Sequence, residues 1–429
     1  MSQETFQLLV GVDLASVADH QVCVMDLGGK LVGERTVGHS GDELRRFFDW
    51  LAGLGHKPSE VAIGVESPGN TLVDGAMDRG FCVFHANPKK IDRFRERESV
   101  AGAKDDRRDA RVIAHALRTD LRCFERLDIG DPRVAALREL IRERAMLIEQ
   151  CGMVANRLRD QLQRYYPAAL ELCGAANERW FWRVIALAPS PKEAKRLSRA
   201  RVAKVLKDCR IRKLDAQTVV TKLRETAPVV QSAIVATCSS RVRRLIKQIG
   251  PVHDLITEVE REVQTALNTL AQSSSEGLED PSSKGRHRDA AILLSMPGVG
   301  TIVGATVLAE AATAIEKRDY HRFRALTGIA PVTKRSGKGR GGAKGRGRVS
   351  MRYACSNPLR VALHHMARVA VRHDAAATAH YKRLRAGGAS YGRALRGVAD
   401  RLARILFAAL RSGQLYQPAR LQGVYATAA

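Results

Sequence analysis

Four acidic side chains stand where they could bind divalent metal ions together. Asp13 and Glu66 each end a short apolar run that predicts a buried strand, FQLLVGVD for the first and VAIGVE for the second. Asp106 and Asp109 lie in AKDDRRDARVIAHAL, which predicts a helix with both acids on one face. Hard ions such as Mg²⁺ take carboxylate oxygens, and two such ions can hold both reacting oxygens of a phosphate displacement. The four acids therefore indicate metal-dependent phosphoryl transfer.

Each acid also has a simpler interpretation when it is taken alone. An Asp at the end of a strand more often caps a turn or a helix than binds a metal. Asp105 competes with Asp106 for the third place, because it directly precedes it. It is the order and context of all four acids that favour the metal site.

A second group of residues that could bind phosphate or act in catalysis lies in a glycine-rich basic loop near the C-terminus. From Thr333 to Arg352 there are eight Lys or Arg residues and no acid, so the loop could follow a phosphate backbone with salt-sensitive affinity. Ser336 lies at its start, in an electropositive setting that would help ionise a hydroxyl and hold a scissile phosphate. From the residues alone, an ordinary loop hydroxyl is the more common explanation. The side chains predicted to bind nucleic acid are Lys334, Arg335, Lys338, Arg340, Lys344, Arg346 and Arg348.

Ahead of this loop, LLSMPGVGTIVGATVLAE predicts two helices joined by a tight turn. Gly298 and Gly300 would let the turn present backbone N–H groups at the start of the second helix, a geometry that binds phosphate. The pattern resembles a helix-hairpin-helix clamp on a DNA backbone. A simple turn between helices is the alternative.

The elements that must position these residues divide the chain into four segments. Residues 1–130 predict a mixed sheet covered by helices, because strand and helix signals alternate. Residues 131–271 are helical and begin with a long amphipathic helix, either a coiled-coil arm or a bundle helix. Residues 272–288 are rich in Ser, Gly, Pro and charge, which predicts a linker, and 289–429 form a mostly helical C-terminal domain. In the first segment the strands are predicted over 6–13, 21–27, 30–37, 61–66 and 81–85, and the helices over 42–54 and 72–79.

The overall charge points to a polyanionic partner. The 429 residues carry a formal charge of +26, with a pI of about 10.2, and such an excess favours nucleic acid. Aromatic residues make up 5%, too few for the anchors of a membrane-surface protein, and no apolar run is long enough for a transmembrane helix. The eight cysteines contain no CxxC pair, which is typical of free thiols. With no signal-peptide pattern, we expect a cytoplasmic protein associated with the nucleoid.

Taken together and in this order, the motifs resemble the insertion-sequence one-ten family of DEDD transposases, with its eleven-eleven subgroup. The N-terminal motifs are GVDLA, VESPGN, the ANP turn and KDDRRDA, and the C-terminal motifs are MPGVG, FRALTGIAPVTKRSG and GRGRVS…SNPLRVAL. They cover about the first 120 and the last 130 residues. The family pattern Lys-x-Asp-x-x-Asp-Ala selects Asp106 and Asp109 and leaves Asp105 at its variable position.

The resemblance implies a RuvC-like, RNase-H-type fold for 1–130 and a transposase domain over 289–429. It implies Mg²⁺, or Mn²⁺, bound by the four acids, and Ser336 as a nucleophile that forms a phosphoserine link to DNA. It further implies guidance by a structured RNA made from the element's own ends, and action as a homo-oligomer, a dimer or a tetramer. Three other interpretations stay open. They are a RuvC-like Holliday-junction resolvase using metal-activated water, a non-enzymatic basic DNA-binding protein, and a sugar-kinase-like ATPase.

Overall fold

The computed structural model describes residues 6–98, 105–127, 130–272, 281–334 and 348–417. The chain divides into two units, Met1–Gly130 and Asp131–Ala429. None of the helices in these described ranges is long and apolar enough to cross a membrane.

The first unit is built on a six-stranded mixed sheet. The strands are β1 (Leu8–Asp13), β2 (His20–Asp26), β3 (Leu31–Val37), β4 (Val61–Val65), β5 (Cys82–His85) and β6 (Glu125–Arg126). Their spatial order is β3-β2-β1-β4-β5-β6. Strand β2 is antiparallel to both of its neighbours, β1 and β3, whereas β1, β4 and β5 are parallel, and β6 is antiparallel to β5.

Four helices cover the two faces of this sheet. They are α1 (Gly41–Ala52), α2 (Thr71–Asp78), α3 (Pro88–Glu98) and α4 (Asp106–Thr119), and short 3₁₀ turns lie at Pro58–Glu60 and Leu121–Cys123. Alternate strand residues such as Leu8 and Val10 pack against α1 and α2. The residues between them, such as Leu9, pack with Ile91 of α3 and Ile113 of α4. The mixed α/β unit predicted from alternating strand and helix signals is therefore confirmed.

The second unit is almost entirely helical. Its first elements are α5 (Pro132–Tyr165), α6 (Pro167–Leu170), α7 (Arg179–Leu187), α8 (Pro191–Ala194), α9 (Arg199–Asp208), α10 (Ala216–Leu223) and α11 (Ser232–Gln272). There follow α12 (Pro281–Ser295), α13 (Thr301–Glu310), α14 (Ala312–Glu316), α15 (Tyr320–Thr327), β7 (Val332–Lys334), β8 (Arg348–Ser350), α16 (Asn357–His373), α17 (Ala375–Ala386) and α18 (Tyr391–Ser412).

The long helices α5 and α11 pack against each other along two hydrophobic cores. Leu137 near the start of α5 shares a core with Leu267 near the end of α11. Buried residues of the helices from α12 to α18 belong to the same core. Leu158, further along α5, shares the other core with Val242, nearer the start of α11. The two helices are therefore antiparallel, and the helical middle predicted as a separate segment contributes to the C-terminal core.

The described part of the linker predicted over 272–288 is helical. Gln272 is the last residue of α11, and residues 281–288 belong to α12. Pro281 stands at the first helical position, where its fixed φ suits a helix. The same helix buries Ile292 and Leu293 in the C-terminal core, so tertiary packing outweighs the polar composition of its first turns.

Candidate metal centre and nucleic-acid-binding residues

The acidic site is positioned by a close approach between α4 and the centre of the sheet. A Cβ atom built on Gly11 of β1 would lie 2.1 Å from the carbonyl oxygen of Ala110 and 2.5 Å from the backbone nitrogen of Ala114, both in α4. On the neighbouring strand β4, a Cβ on Gly64 would lie 2.9 Å from Ile113. Because glycine has no Cβ, α4 can lie directly on the two strands. This places the first turn of α4 beside the end of β1.

Three of the four predicted acids meet at this point. One carboxylate oxygen from each of Asp13, Asp106 and Asp109 lies within 4.8 Å of those of the other two. Asp106 is exposed, Asp13 is half-buried, and Asp109 is only 2% exposed. The Oδ2 atom of Asp109 is buried and accepts no hydrogen bond within the described part of the chain.

This arrangement fits a hard divalent cation. A buried carboxylate oxygen without a donor is unfavourable, and three carboxylates this close repel one another unless a positive charge lies between them. Oxygen ligands from several carboxylates are the kind that Mg²⁺ takes in phosphoryl-transfer sites. The residues present are therefore chemically suited to the ion that the sequence predicts.

The neighbouring Asp105 has a different position. It is the N-cap of α4, and its side chain accepts a hydrogen bond from the backbone N–H of Arg107 at 3.2 Å. A carboxylate in this position also interacts favourably with the helix dipole. The geometry thus distinguishes the two adjacent acids, with Asp105 capping the helix and Asp106 in the carboxylate group.

The fourth acid, Glu66, follows β4 and is held by an arginine that the sequence analysis missed. Arg95 of α3 donates from Nη2 to Glu66 Oε1 and from Nε to Asp109 Oδ1, both at 2.7 Å. It also donates from Nη1 to the exposed Asp92 at 2.6 Å. Glu66 lies outside the three-carboxylate group, joined to it through the guanidinium. The only sequence signal for Arg95 was its place in a basic helix that follows the Asn-Pro turn.

The electrostatics of Glu66 reflect this environment. Burial raises the pKa of Glu66 above its ordinary value, the charge of Arg95 opposes that rise, and the negative charges of Asp13 and Asp109 add to it. The positive guanidinium therefore partly neutralises a carboxylate pair that would otherwise be costly to bury.

Two histidines hold the loop that follows Asp13. The backbone N–H of Ala15 donates to Nδ1 of the buried His20 at 3.2 Å, and His39 donates from Nε2 to the carbonyl oxygen of Ala18 at 2.8 Å. Burial lowers the pKa of His20, and the nearby His39 lowers it further. Since Nδ1 accepts a hydrogen bond only without a proton, a neutral His20 keeps this loop in place.

The predicted basic loop emerges from a two-stranded ribbon in the second unit. Strands β7 and β8 are antiparallel, and Lys334 pairs with Arg348 at the last step of their ladder. The side chains of this pair are not among those that the structure describes. Ser336 and the remaining predicted loop residues lie outside the described residues, namely Arg335, Lys338, Arg340, Lys344 and Arg346.

The predicted glycine turn lies between α12 and α13, and its two glycines have different surroundings. Gly298 has a φ of +79°, and a Cβ there would lie 2.2 Å from the carbonyl oxygen of Met366 in α16. It therefore permits close packing of the turn on α16. Gly300 is exposed, is the N-cap of α13, and would place a Cβ in open space. Of the two glycines, it is Gly300 that lies at the N-terminus of a helix.

Comparisons with known proteins match both units. A family model described as a transposase matches residues 10–167, which contain all four acids. A second model, described as transposase IS116/IS110/IS902 family, matches residues 290–382, which contain the glycine turn and the basic loop.

Individual relatives include transposases and an insertion-element protein. The mini-circle putative transposase for IS117 of Streptomyces coelicolor is 26% identical over 98% of each chain. The insertion element IS110 uncharacterized 43.6 kDa protein of the same organism is 25% identical over 98% of each chain. The putative transposase y4uE of Sinorhizobium fredii is 42% identical over 48% of this chain and 58% of that protein, so the match spans little more than half of its length.

With its mixed α/β unit in the region of the first match and its C-terminal helices in that of the second, the chain is a transposase. The chain belongs to the IS110 family, the insertion-sequence one-ten family that its motifs resemble.

Proposed function

We propose that this transposase cuts and rejoins DNA at the ends of an insertion sequence, with Mg²⁺ or Mn²⁺ at Asp13, Glu66, Asp106 and Asp109. The observation that carries the proposal is that three carboxylates lie within 4.8 Å of one another, and that one buried Asp109 oxygen has no hydrogen-bond partner among the described residues. A bound divalent ion would supply charge stabilisation for a phosphate under attack. Asp13, Asp106 and Asp109 would hold the ion, and Glu66 would join them if it exchanged its contact with Arg95 for the ion.

The nucleophile in this proposal is the hydroxyl of Ser336. Its Oγ attacks the phosphorus of a DNA phosphodiester and gives its proton to solvent, while the bond from phosphorus to one deoxyribose oxygen breaks and that oxygen takes up a proton and leaves as a hydroxyl. The resulting phosphoserine diester keeps the energy of the broken bond, so that the reverse attack by a deoxyribose hydroxyl rejoins DNA without ATP. Lys334, Arg335 and Lys338 surround Ser336 in the sequence and would stabilise the negative charge that develops on the phosphate.

The remaining parts of the proposal come from the family resemblance. The sheet order β3-β2-β1-β4-β5, in which β2 alone is antiparallel to the other four strands, supports an RNase-H-type, RuvC-like fold. The charge of +26 supports binding of both DNA and a structured guide RNA. We further propose a homo-oligomer in which the acids of one subunit act with the serine loop of another.

Trapping a covalent adduct tests the nucleophile. Wild-type protein incubated with element-end DNA, the element's RNA and Mg²⁺ should yield a protein–DNA adduct that survives denaturation, with the modified peptide containing Ser336. Ser336→Ala should bind DNA but form no adduct. The matched control is Ser350→Ala, which removes the hydroxyl nearest to the loop in β8. Free cut ends without any adduct would instead indicate attack by metal-activated water.

A further inference from the structure

A dense positive surface lies around α9, in a part of the protein that contains none of the family motifs and none of the four acids. Residues 192–213 contain ten Lys or Arg residues against two acids, and the side chains of all ten are exposed. Helix α9 buries only Val202, Val205 and Leu206. We call these ten basic side chains the α9 surface.

The positive charge of the α9 surface is left almost entirely unpaired. Every residue of 192–213 is described, and of the ten only Arg199 forms an ion pair, at 3.8 Å to Asp215. The two acids within 192–213 form ion pairs with arginines that lie outside this segment. Glu193 pairs with Arg243, and Asp208 pairs with Arg183. Charges held together without counter-charges repel one another, and an anionic ligand would relieve that repulsion.

Part of this surface surrounds a cavity of about 470 Å³ between α9 and the start of α10. Its lining includes the cations Lys207, Arg210 and Arg212, the apolar Leu206 and Ile211, and the acid Asp215. The cavity therefore offers several cationic side chains to one ligand, and its acid is paired with Arg199.

The backbone at Arg210 is the second, independent sign that this surface serves binding. Arg210 has a φ of +56° and follows the C-cap of α9. Its N–H donates to the carbonyl oxygen of Lys207 at 3.0 Å, and the N–H of Ile211 donates to that of Leu206 at 2.9 Å. This is the Schellman ending of a helix, in which glycine is the residue of lowest strain at the left-handed position. An arginine there sacrifices stability while it places a guanidinium at the mouth of the cavity.

The chemistry of the surface selects the ligand. No large hydrophobic or aromatic side chain is exposed over 191–216, all of which is described, and Trp180, Phe181 and Trp182 beside it are buried. Without aromatic platforms the surface cannot stack bases, and without apolar anchors it does not suit a membrane. Closely spaced cations on a rigid helical scaffold instead match the phosphates of a duplex.

We propose that the α9 surface is a sequence-independent binding site for the backbone of duplex DNA, separate from the basic loop at 333–352. The inference rests on the proposed function only in taking DNA as the polyanion. Its role would be to hold DNA that flanks the reacting phosphate, since contacts to phosphates position a duplex without reading its sequence.

The test compares DNA binding by two full-length variants that lose the same charge. One is Lys207→Ala/Arg210→Ala/Arg212→Ala. The control, Arg142→Ala/Arg179→Ala/Lys222→Ala, removes three cations of the same unit that are already paired with acids outside the α9 surface. Fluorescence anisotropy measures Kd for a random-sequence DNA duplex over a range of salt concentrations.

We expect the α9 variant to bind at least about tenfold more weakly and to lose about one unit of salt slope per contact. The control should stay close to wild type. Equal losses in both variants, or no loss in the α9 variant, would overturn the proposal. So would a loss confined to an RNA duplex of the same length. The assay measures DNA binding and not strand joining. If the α9 variant binds DNA as tightly as the wild type and forms the Ser336 adduct normally, this inference fails while the proposed function stands.

A single substitution, Arg210→Gly, separates binding from folding. Glycine relieves the left-handed backbone strain, so the variant should unfold at a higher temperature than wild type. It should nevertheless lose about one unit of salt slope for duplex DNA. Higher thermal stability with an unchanged slope would contradict the assignment of Arg210 to the DNA surface.

Discussion

Gly11→Ala directly perturbs the packing that brings the acidic site together. The added methyl group would lie 2.1 Å from the carbonyl oxygen of Ala110 and 2.5 Å from the nitrogen of Ala114. Both are backbone atoms of α4, so rotation of a side chain cannot relieve the overlap. A carbon–oxygen contact normally lies at about 3.3–3.6 Å, so α4 must move from β1 by about 1 Å.

Two consequences follow from that displacement. Overpacking of a core costs about 1–3 kcal/mol, and a clash with rigid backbone lies at the upper end of this range. Asp106 and Asp109 belong to α4, whereas Asp13 is the last residue of β1. The distance from Asp13 to the other two carboxylates therefore changes by a similar amount. Because Mg²⁺ demands nearly ideal geometry at about 2.0–2.1 Å, its affinity should fall about 10–100-fold, as it does when the support of a metal ligand is disturbed.

The matched control is Gly41→Ala, at the first residue of α1, where an added Cβ meets no atom within 4 Å. It should change stability by no more than about 1 kcal/mol. Hydrogen exchange of peptides from α4 and titration calorimetry with Mg²⁺ measure the two effects. If Gly11→Ala keeps the protection of α4 and the Mg²⁺ affinity of the control, the close approach does not position the site.

Three further substitutions test other parts of the structure. Gly298→Ala should lower the free energy of unfolding by about 2 kcal/mol or more through its left-handed backbone and its clash with α16, whereas Gly300→Ala should cost only about 0.5 kcal/mol; similar unfolding temperatures would contradict this difference. Arg95→Gln should raise Mg²⁺ affinity about tenfold, because the guanidinium competes with the ion for two carboxylates, while the exposed Arg93→Gln should not; weaker binding would show that Arg95 supports the ion. Because the pKa of His20 is lowered by burial, only the unfolded chain takes up its proton near its ordinary pKa of about 6.5, so wild-type stability should fall as pH drops through and below that value. His20→Gln should flatten that fall, and parallel pH profiles of the two proteins would refute it.

Much of the first unit follows from its sequence because its strands carry local signals. The apolar runs that end at Asp13 and Glu66 became β1 and β4, with ends within two residues of those predicted. Pro58 precedes the second run and Pro68-Gly69 follows it, which marks where that strand must stop. The helix that carries Asp106 and Asp109 was also predicted, since its apolar residues recur at helical spacing.

Other features depend on contacts that no local pattern contains. Strand β6 has two residues, too few for any periodicity, and forms only because it pairs with β5. The ion pairs of Arg95 join residues up to 29 positions apart, and one arginine in a basic helix looks like any other. Residues 281–288 were predicted as linker from their composition, yet they extend a helix whose later residues are buried. In each case tertiary packing decides what the sequence leaves open.

The comparison of Asp109→Asn with Asp92→Asn tests the metal centre most directly. Both acids accept a hydrogen bond from Arg95, but only Asp109 belongs to the three-carboxylate group. The measurement is Mg²⁺-dependent strand exchange on element-end DNA, with circular dichroism to verify that each variant is folded. We predict that Asp109→Asn abolishes exchange and that Asp92→Asn retains it within about threefold, since an exposed ion pair contributes little. Exchange by folded Asp109→Asn at the wild-type rate would contradict a metal-dependent reaction at this site.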